Sequence, residues 1–283
     1  MDNQKVILIT GCSSGFGLLA AARLAAQGHF VWATMRDLSK KAALEEELTK
    51  RNAVAVIRGL DVTKPSTIKT VIEEIQKTHF HIDVLINNAG FGIAGFFEDL
   101  SEEEIRAVME TNFYGVQNVC REVIPLMRKR TSGKIINISS IAGQVATPCL
   151  SAYNTSKWAL EAFSESLYYE LGLFGISVVL VEPGSYPTQI FTKPAHFSKN
   201  FDNAQSPYFS FSQKIKDVSK NAIGKLTRNP EEVAKLIENI VNNPHPRLRY
   251  VSDFSSWARV MAQKILPTNI TAHIFRRILY ANK

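Results

Sequence analysis

Tyr153 and Lys157 stand four residues apart in a segment whose pattern predicts a helix over Ala152–Phe174, so both side chains project from one face. A phenol, with an ordinary pKa near ~10, is a reluctant base, and an ammonium held beside it stabilises the phenolate. Such a pair can give a proton to an oxygen and take it back. Interconversion of a ketone and an alcohol needs this at oxygen while a hydride moves at carbon. Upstream of the tyrosine, Ser139 and Ser140 end a strand-like run, and either hydroxyl could hold a substrate oxygen against the phenol. Each feature alone is more often structural: a Tyr–Lys pair usually lies on a surface, and a serine pair usually makes a turn. Only their joint placement points to chemistry.

That placement depends on the elements that carry them. Short apolar runs at Lys5–Thr10, Phe30–Met35, Ala53–Gly59, Val84–Asn87, Gly133–Ser139 and Ile176–Glu182 read as strands buried on both faces. Helical patterns lie between them, over Gly17–Gln27, Ser39–Arg51, Pro65–Thr78, Ser101–Lys129 and Ala152–Phe174. Ser101 with Glu104 forms a capping box, and Thr63 before Lys64-Pro65 marks another helix entry. Strand–helix–strand alternation predicts right-handed crossovers and a doubly wound parallel α/β sheet, a Rossmann fold. Ligands of such sheets bind beyond the carboxyl ends of the strands.

The first strand ends in Thr10-Gly11-Cys12-Ser13-Ser14-Gly15-Phe16-Gly17. Glycines here allow a tight turn and close approach to a pyrophosphate, which the free N–H groups of the following helix then meet. Position after strand one and before helix one makes this far stronger than a lone glycine trio.

This turn resembles the T-G-x-x-x-G-x-G of the classical short-chain dehydrogenase/reductase family. Further motifs follow in the family's order: Asn87-Asn88-Ala89-Gly90, Asn112, Ser140, Tyr153-x-x-x-Lys157, and Pro183-Gly184 with Thr188. The resemblance covers Lys5 to about Phe191 and, more loosely, the rest. It implies a nicotinamide-dependent oxidoreductase whose catalytic residues are Asn112, Ser140, Tyr153 and Lys157. Ser140 is chosen over Ser139 on that implication, and Asn112 would fix a water linking Lys157 to solvent. The cofactor would be held by Gly11, Ser13, Ser14, Gly15, Phe16, Gly17, Asp61, Val62, Asn88, Ala89, Gly90, Tyr153, Lys157, Pro183, Gly184 and Thr188. The glycine turn together with Ala33–Leu38 is most similar to the branch containing 17β-hydroxysteroid dehydrogenase type 1 and the photoreceptor retinol dehydrogenases.

In the family's register the position that selects NAD by its carboxylate is Met35, which is neutral. Arg36 follows and can reach a 2′-phosphate with help from Ser13, so NADP(H) is expected over NAD(H). Asp37 is the rival, and as the next residue it should point away and cap the following helix.

The 283 residues are 45% hydrophobic and 21% charged, an ordinary globular balance. One domain is expected, with 1–190 as dinucleotide-binding core and 191–283 as substrate lid and C-terminal helices. Residues 189–222 show no clear period and read as an irregular insertion, and a helix opens at Pro230 and runs to about Val241. No apolar run is long enough to cross a bilayer. Three scattered cysteines and a strand close to the N-terminus predict a cytoplasmic protein without a metal site. The net charge of +7 is dispersed, which argues against nucleic acid. Residues 257–283 are more basic and carry aromatics; a helix closing the pocket is favoured there over a membrane-lying one.

Loops Phe91–Phe97, Gln144–Leu150 and Tyr186–Phe191, with Phe197, Phe201, Tyr208, Phe209 and Phe211, would line an apolar pocket for a lipophilic ketone, aldehyde or alcohol such as a steroid or retinoid. The insertion's aromatics serve equally well as packing under a lid. Lys193, Lys199, Lys214, Lys216, Lys220 and Lys225 leave open a 3-ketoacyl-thioester reductase. A non-catalytic NADP(H)-binding sensor or scaffold on this fold would typically lack the tyrosine or the lysine. A homodimer or homotetramer through the two long helices is implied by the resemblance.

Overall fold

The structure is a computed structural model, and it describes residues 4–186, 197–224 and 228–280. Seven parallel strands form one sheet in the order β3-β2-β1-β4-β5-β6-β7. They are β1 (Val6–Ile9), β2 (Phe30–Met35), β3 (Val56–Gly59), β4 (Val84–Asn87), β5 (Gly133–Ile138), β6 (Ile176–Glu182) and β7 (Arg249–Val251). The helices are α1 (Gly15–Ala26), α2 (Ala42–Lys50), α3 (Pro65–His79), α4 (Glu102–Met109), α5 (Gly115–Lys129), α6 (Ser151–Gly172), α7 (Phe209–Gly224), α8 (Glu231–Asn242), α9 (Phe254–Ile265) and α10 (Thr268–Tyr280). The strand order reverses between β1 and β4, and the crevice at that switch point opens at their carboxyl ends.

Two apolar cores, one on each face, explain why the strands read as unbroken apolar runs. Ile7 and Ile9 pack under α1 and α8, while Val6 and Leu8 pack under α3, α5 and α6. All four are at most 2% exposed, so β1 is a central strand with no solvent face.

Several elements differ from the sequence expectation for physical reasons. The predicted helix over Ser101–Lys129 is interrupted: Glu110–Tyr114 is a π-helical turn between α4 and α5. The capping box at its start is present, with Ser101 Oγ accepting from Glu104 N at 3.3 Å and Ser101 N donating to Glu104 Oε2 at 2.8 Å. Thr63 does not cap α3; its N–H instead donates to Asp61 Oδ1 at 3.0 Å, and Lys64 precedes the helix. The insertion expected to be irregular contains α7. The sheet gains β7, a three-residue strand paired to Leu180–Glu182.

Candidate active site

The glycine turn stands where β1 meets α1. Gly11 and Gly15 have φ of +75° and +60°, which only glycine adopts freely. The turn is tied to the loop after β4: Thr10 Oγ1 accepts from Asn88 N at 3.0 Å and Ala89 N at 3.1 Å, and Asn88 Nδ2 donates to Thr10 O and Gly11 O, both at 2.9 Å. Asn88 thus braces the two central strands. A Cβ on Gly17 would collide with the Asn88 amide and lie 2.6 Å from Gly11 O, so α1 can start against this turn only with glycine there.

A cavity of about 360 Å³ lies over the turn, lined by Gly11, Ser13, Ser14, Gly15, Phe16, Arg36, Asp37, Lys40, Asp61, Val62, Asn88, Ala89 and Gly90 among others. Its floor is a helix N-terminus whose cap residue, Ser14, makes no side-chain cap bond, leaving α1 N–H groups to meet an anion. Asp37 caps the following turn, its carboxylate accepting from Ser39 N at 3.1 Å and Ser39 Oγ at 2.7 Å, but it does not turn away from the cavity as the sequence suggested: it lines it and pairs with Lys40 at 3.5 Å. Met35 is buried and neutral. Two cations, Arg36 and Lys40, line this end, with the Asp37 carboxylate paired to Lys40. Lys40 escaped the sequence reading, which weighed only Arg36 and Asp37 here; it ends the 3-10 turn Leu38–Lys40 that follows them.

A second, narrower cavity shares Phe16, Asn88, Gly90 and Phe91 with the first and is further lined by Ser140, Tyr153, Lys157, Pro183 and Gly184. One cleft therefore runs from Arg36 to Tyr153. Tyr153 is buried and its phenol is hydrogen-bonded with Ser140. Ser140 meets the tyrosine, while Ser139, which also lines this cavity, stands against Glu161. Burial raises the Tyr153 pKa above its ordinary 10, and the Ser140 bond offsets part of this.

Lys157 is buried, and its ammonium donates to Ile138 O at 2.8 Å and stands 5.8 Å from the Tyr153 ring centre. Burial pushes its pKa down to about 8, against the pull of Glu161. The spacing argument expects this cation to depress the tyrosine; in the free protein desolvation dominates at both groups, and the phenol is held protonated.

Asn112 is carried inward by the π turn, as such bulges often do at functional sites. Its side chain bonds both backbone groups of Phe91, at 2.8 and 2.9 Å, and donates to Ser156 Oγ at 3.0 Å. It lies beside Gly90, where an added Cβ would be 3.0 Å from Asn112 Oδ1 and 3.8 Å from Lys157 Nζ. Pro183 O accepts from Ile141 N at 3.1 Å, tying the loop after β6 to the turn after Ser140. Thr188 lies outside the described residues.

The insertion's described aromatics pack rather than line this cleft. Phe201 is 1% exposed against Phe197, and Tyr208 stacks on Phe96 at 4.6 Å. Behind Lys157, Glu161, Glu182 and Arg249 form a buried ionic cluster, with Arg249 Nε 3.2 Å from Glu161 and 3.4 Å from Glu182. Burial, with Glu161 beside it, pushes the Glu182 carboxyl up to about 8. No spacing in the sequence joins these three residues, which come from α6, β6 and β7.

A glycine-bounded turn at a helix N-terminus, opening into a cleft that ends on a Tyr–Lys–Ser cluster, is matched by the short chain dehydrogenase family model over residues 5–197. The chain belongs to that family. It is 38% identical over 99% of its length to the whole of an uncharacterized oxidoreductase of Bacillus subtilis, YusZ. It is 37% identical to the 3-ketodihydrosphingosine reductase of Bacteroides thetaiotaomicron, covering 98% of each chain. It is 34% identical to retinol dehydrogenase 8 of Bos taurus over 88% of this chain and 81% of that one. A short-chain dehydrogenase from Streptomyces avermitilis superposes with a TM-score of 0.79 at 31% identity, covering 98% and 97% of the two chains. The protein is thus an NAD(P)-dependent oxidoreductase acting on a small molecule, and no helix among its described residues is long and apolar enough to cross a membrane.

Proposed function

We propose that the protein is an NADP(H)-dependent reductase of lipophilic ketones or aldehydes, running in reverse on the matching alcohols. The observation that carries this is the continuous cleft with two cations at one end and the Ser140–Tyr153 hydrogen bond at the other. The cleft suits a nicotinamide dinucleotide: the cradle at Gly11 and Gly17 has no room for a Cβ, and free helix N–H groups face it. Gly11 to Gly17 would hold the pyrophosphate, Arg36, Lys40 and Ser13 the 2′-phosphate, Asp61 and Val62 the adenine, and Asn88 to Gly90 the ribose. Pro183, Gly184 and Thr188 would meet the carboxamide.

When bound, the nicotinamide supplies or accepts the hydride. The protein's share is the proton and the orientation. Ser140 holds the carbonyl oxygen against Tyr153, and Tyr153 donates its proton to that oxygen. Its raised pKa keeps the phenol protonated at neutral pH, the form that reduction needs. Lys157 passes a replacement proton to Tyr153, taken from solvent through a water that Asn112 would fix. Oxidation needs the phenolate, so the oxidative rate is expected to climb with pH while the reductive rate stays flat near neutrality.

The likeness to 3-ketodihydrosphingosine reductase and to retinol dehydrogenase 8 supports a lipophilic substrate and names the first compounds to try. The test follows NADPH consumption with 3-ketodihydrosphingosine, retinal, a steroid ketone and a 3-ketoacyl thioester. Turnover of a lipophilic ketone or aldehyde supports the proposal. Turnover of the thioester alone moves the assignment to a ketoacyl-thioester reductase, and binding without any turnover moves it to a sensor. For the cofactor, Arg36→Ala with Lys40→Ala is expected to raise the NADPH Kd by about 10- to 100-fold, the loss of two charged contacts, and to leave NADH within about twofold. An equal loss for both cofactors would contradict the assignment of the 2′-phosphate.

A further inference from the structure

Helix α9 shows an apolar stripe to solvent. Phe254, Trp257, Ala258, Ala262 and Ile265 recur at the i, i+3, i+4, i+8 and i+11 spacing of one helix face, bordered by Met261, which packs inward. The residues facing the body are instead Ser256 and Val260, at 4% and 1% exposure. On the stripe, Phe254 is 80%, Trp257 46% and Ile265 77% exposed. The Phe254 and Trp257 rings stack on each other, 5.7 Å between centres, with no core residue needed to order them. Leu266 and Ile270 extend the apolar surface toward α10 at 38% and 45% exposure. Single exposed apolar side chains are ordinary; a contiguous stripe with two stacked aromatics marks an interaction surface.

Charge says which partner. From Phe254 to Lys283 the chain has no Asp or Glu, and Arg259, Lys264, Arg276, Arg277 and Lys283 are all basic. Lys264, Arg276 and Arg277 are exposed. A two-fold contact with a second copy would set these cations against each other with no carboxylate in the segment to pair them. An anionic lipid surface meets both demands, taking up the aromatics at its boundary and pairing the cations with its headgroups.

We infer that α9 and α10 dock onto an anionic membrane surface through the stripe led by Phe254, Trp257 and Ile265. The inward side of α9 is joined to the reaction centre: Val260 and Met261 pack with Ile141 and Val145, in and beside the turn that follows Ser140. A Cβ on Gly184 would stand 2.9 Å from Asp253 Oδ2, so the N-terminus of α9 also closes on the loop after β6. A protein docked this way carries its substrate cleft beside the bilayer, where a lipophilic substrate is concentrated. The docking itself does not depend on which ketone is reduced.

The test uses the full chain in sedimentation with phosphatidylcholine vesicles and with vesicles also containing phosphatidylglycerol. The expected result is pelleting with the anionic vesicles only, released by high salt. Phe254→Ser with Trp257→Ser is expected to cut the bound fraction's affinity by at least ~10-fold, the loss of two buried aromatics. The variant should keep the wild-type rate on a water-soluble ketone and the wild-type Tm. Failure to pellet, or equal pelleting by the variant, overturns the inference. So does a wild-type dimer in light scattering that the double substitution converts to monomer, which would make the stripe an interface between copies.

Discussion

Tyr153→Phe is expected to lower kcat by about 10³-fold in both directions while leaving the NADPH Kd within about twofold, because a positioned general acid contributes ~10²–10⁴. The phenol oxygen meets Ser140, whose Oγ also accepts from Ala142 N at 3.1 Å, and phenylalanine keeps the buried ring without that oxygen. Packing should survive, since the ring lies in contact range of Gly92 and its exposure is only 4%. Single-turnover absorbance at saturating cofactor separates the chemical step from binding. A kcat within tenfold of wild type would mean that another group, Ser140 first, delivers the proton.

Lys157→Met is expected to inactivate the protein and stabilise it at the same time. Lys157 is buried, and burial lowers its folded-state pKa to about 8 from the ordinary 10.5. The unfolded chain therefore binds more protons between pH 8 and 10.5, and stability from this group rises with pH across that window. Below pH 8 the buried cation costs the fold about 3 kcal/mol, from a shift of 10.5 to about 8 at one pKa unit per ~1.36 kcal/mol, while its ammonium keeps the bond to Ile138 O. Methionine fills the same channel without the charge, so Tm at pH 7 should rise by several degrees, and the gap to wild type should close as pH approaches 10. Activity should fall by about 10²-fold or more through loss of proton supply to Tyr153. A variant that melts below wild type at pH 7 would show that the hydrogen bond outweighs the desolvation cost. This tension is the expected signature of a site that stores strain for function.

What the sequence made legible follows from how local each signal is. Six of the seven strands were readable because parallel strands buried on both faces are continuous apolar runs, as Val6–Ile9 and Val84–Asn87 are. β7 was not, since Arg249-Tyr250-Val251 is three residues long with a charged member, and only its pairing to β6 makes it a strand. The glycine turn was legible because its cause is steric and contained within a few residues. The π turn at Glu110–Tyr114 was hidden, because its amino acids suit an α-helix and Asn112 moves inward only through its bonds to Phe91. α7 escaped because its serines, lysines and asparagine blur the apolar period of a helix. The apolar stripe of α9 was visible as composition, while its direction was not: Val260 packs inward on Ile141 and Val145, whereas Phe254 and Trp257 are exposed.

The central claim is that hydride passes to a substrate carbon at the Tyr153 end of the cleft. The most direct measurement uses NADPH doubly deuterated at C4 with 3-ketodihydrosphingosine, retinal and a steroid ketone, and mass spectrometry of the alcohols formed. The account predicts one deuterium on the carbinol carbon of at least one product, lost in Tyr153→Phe. Tight NADPH binding with no deuterated alcohol from any lipophilic carbonyl, or an alcohol formed without label, would contradict it.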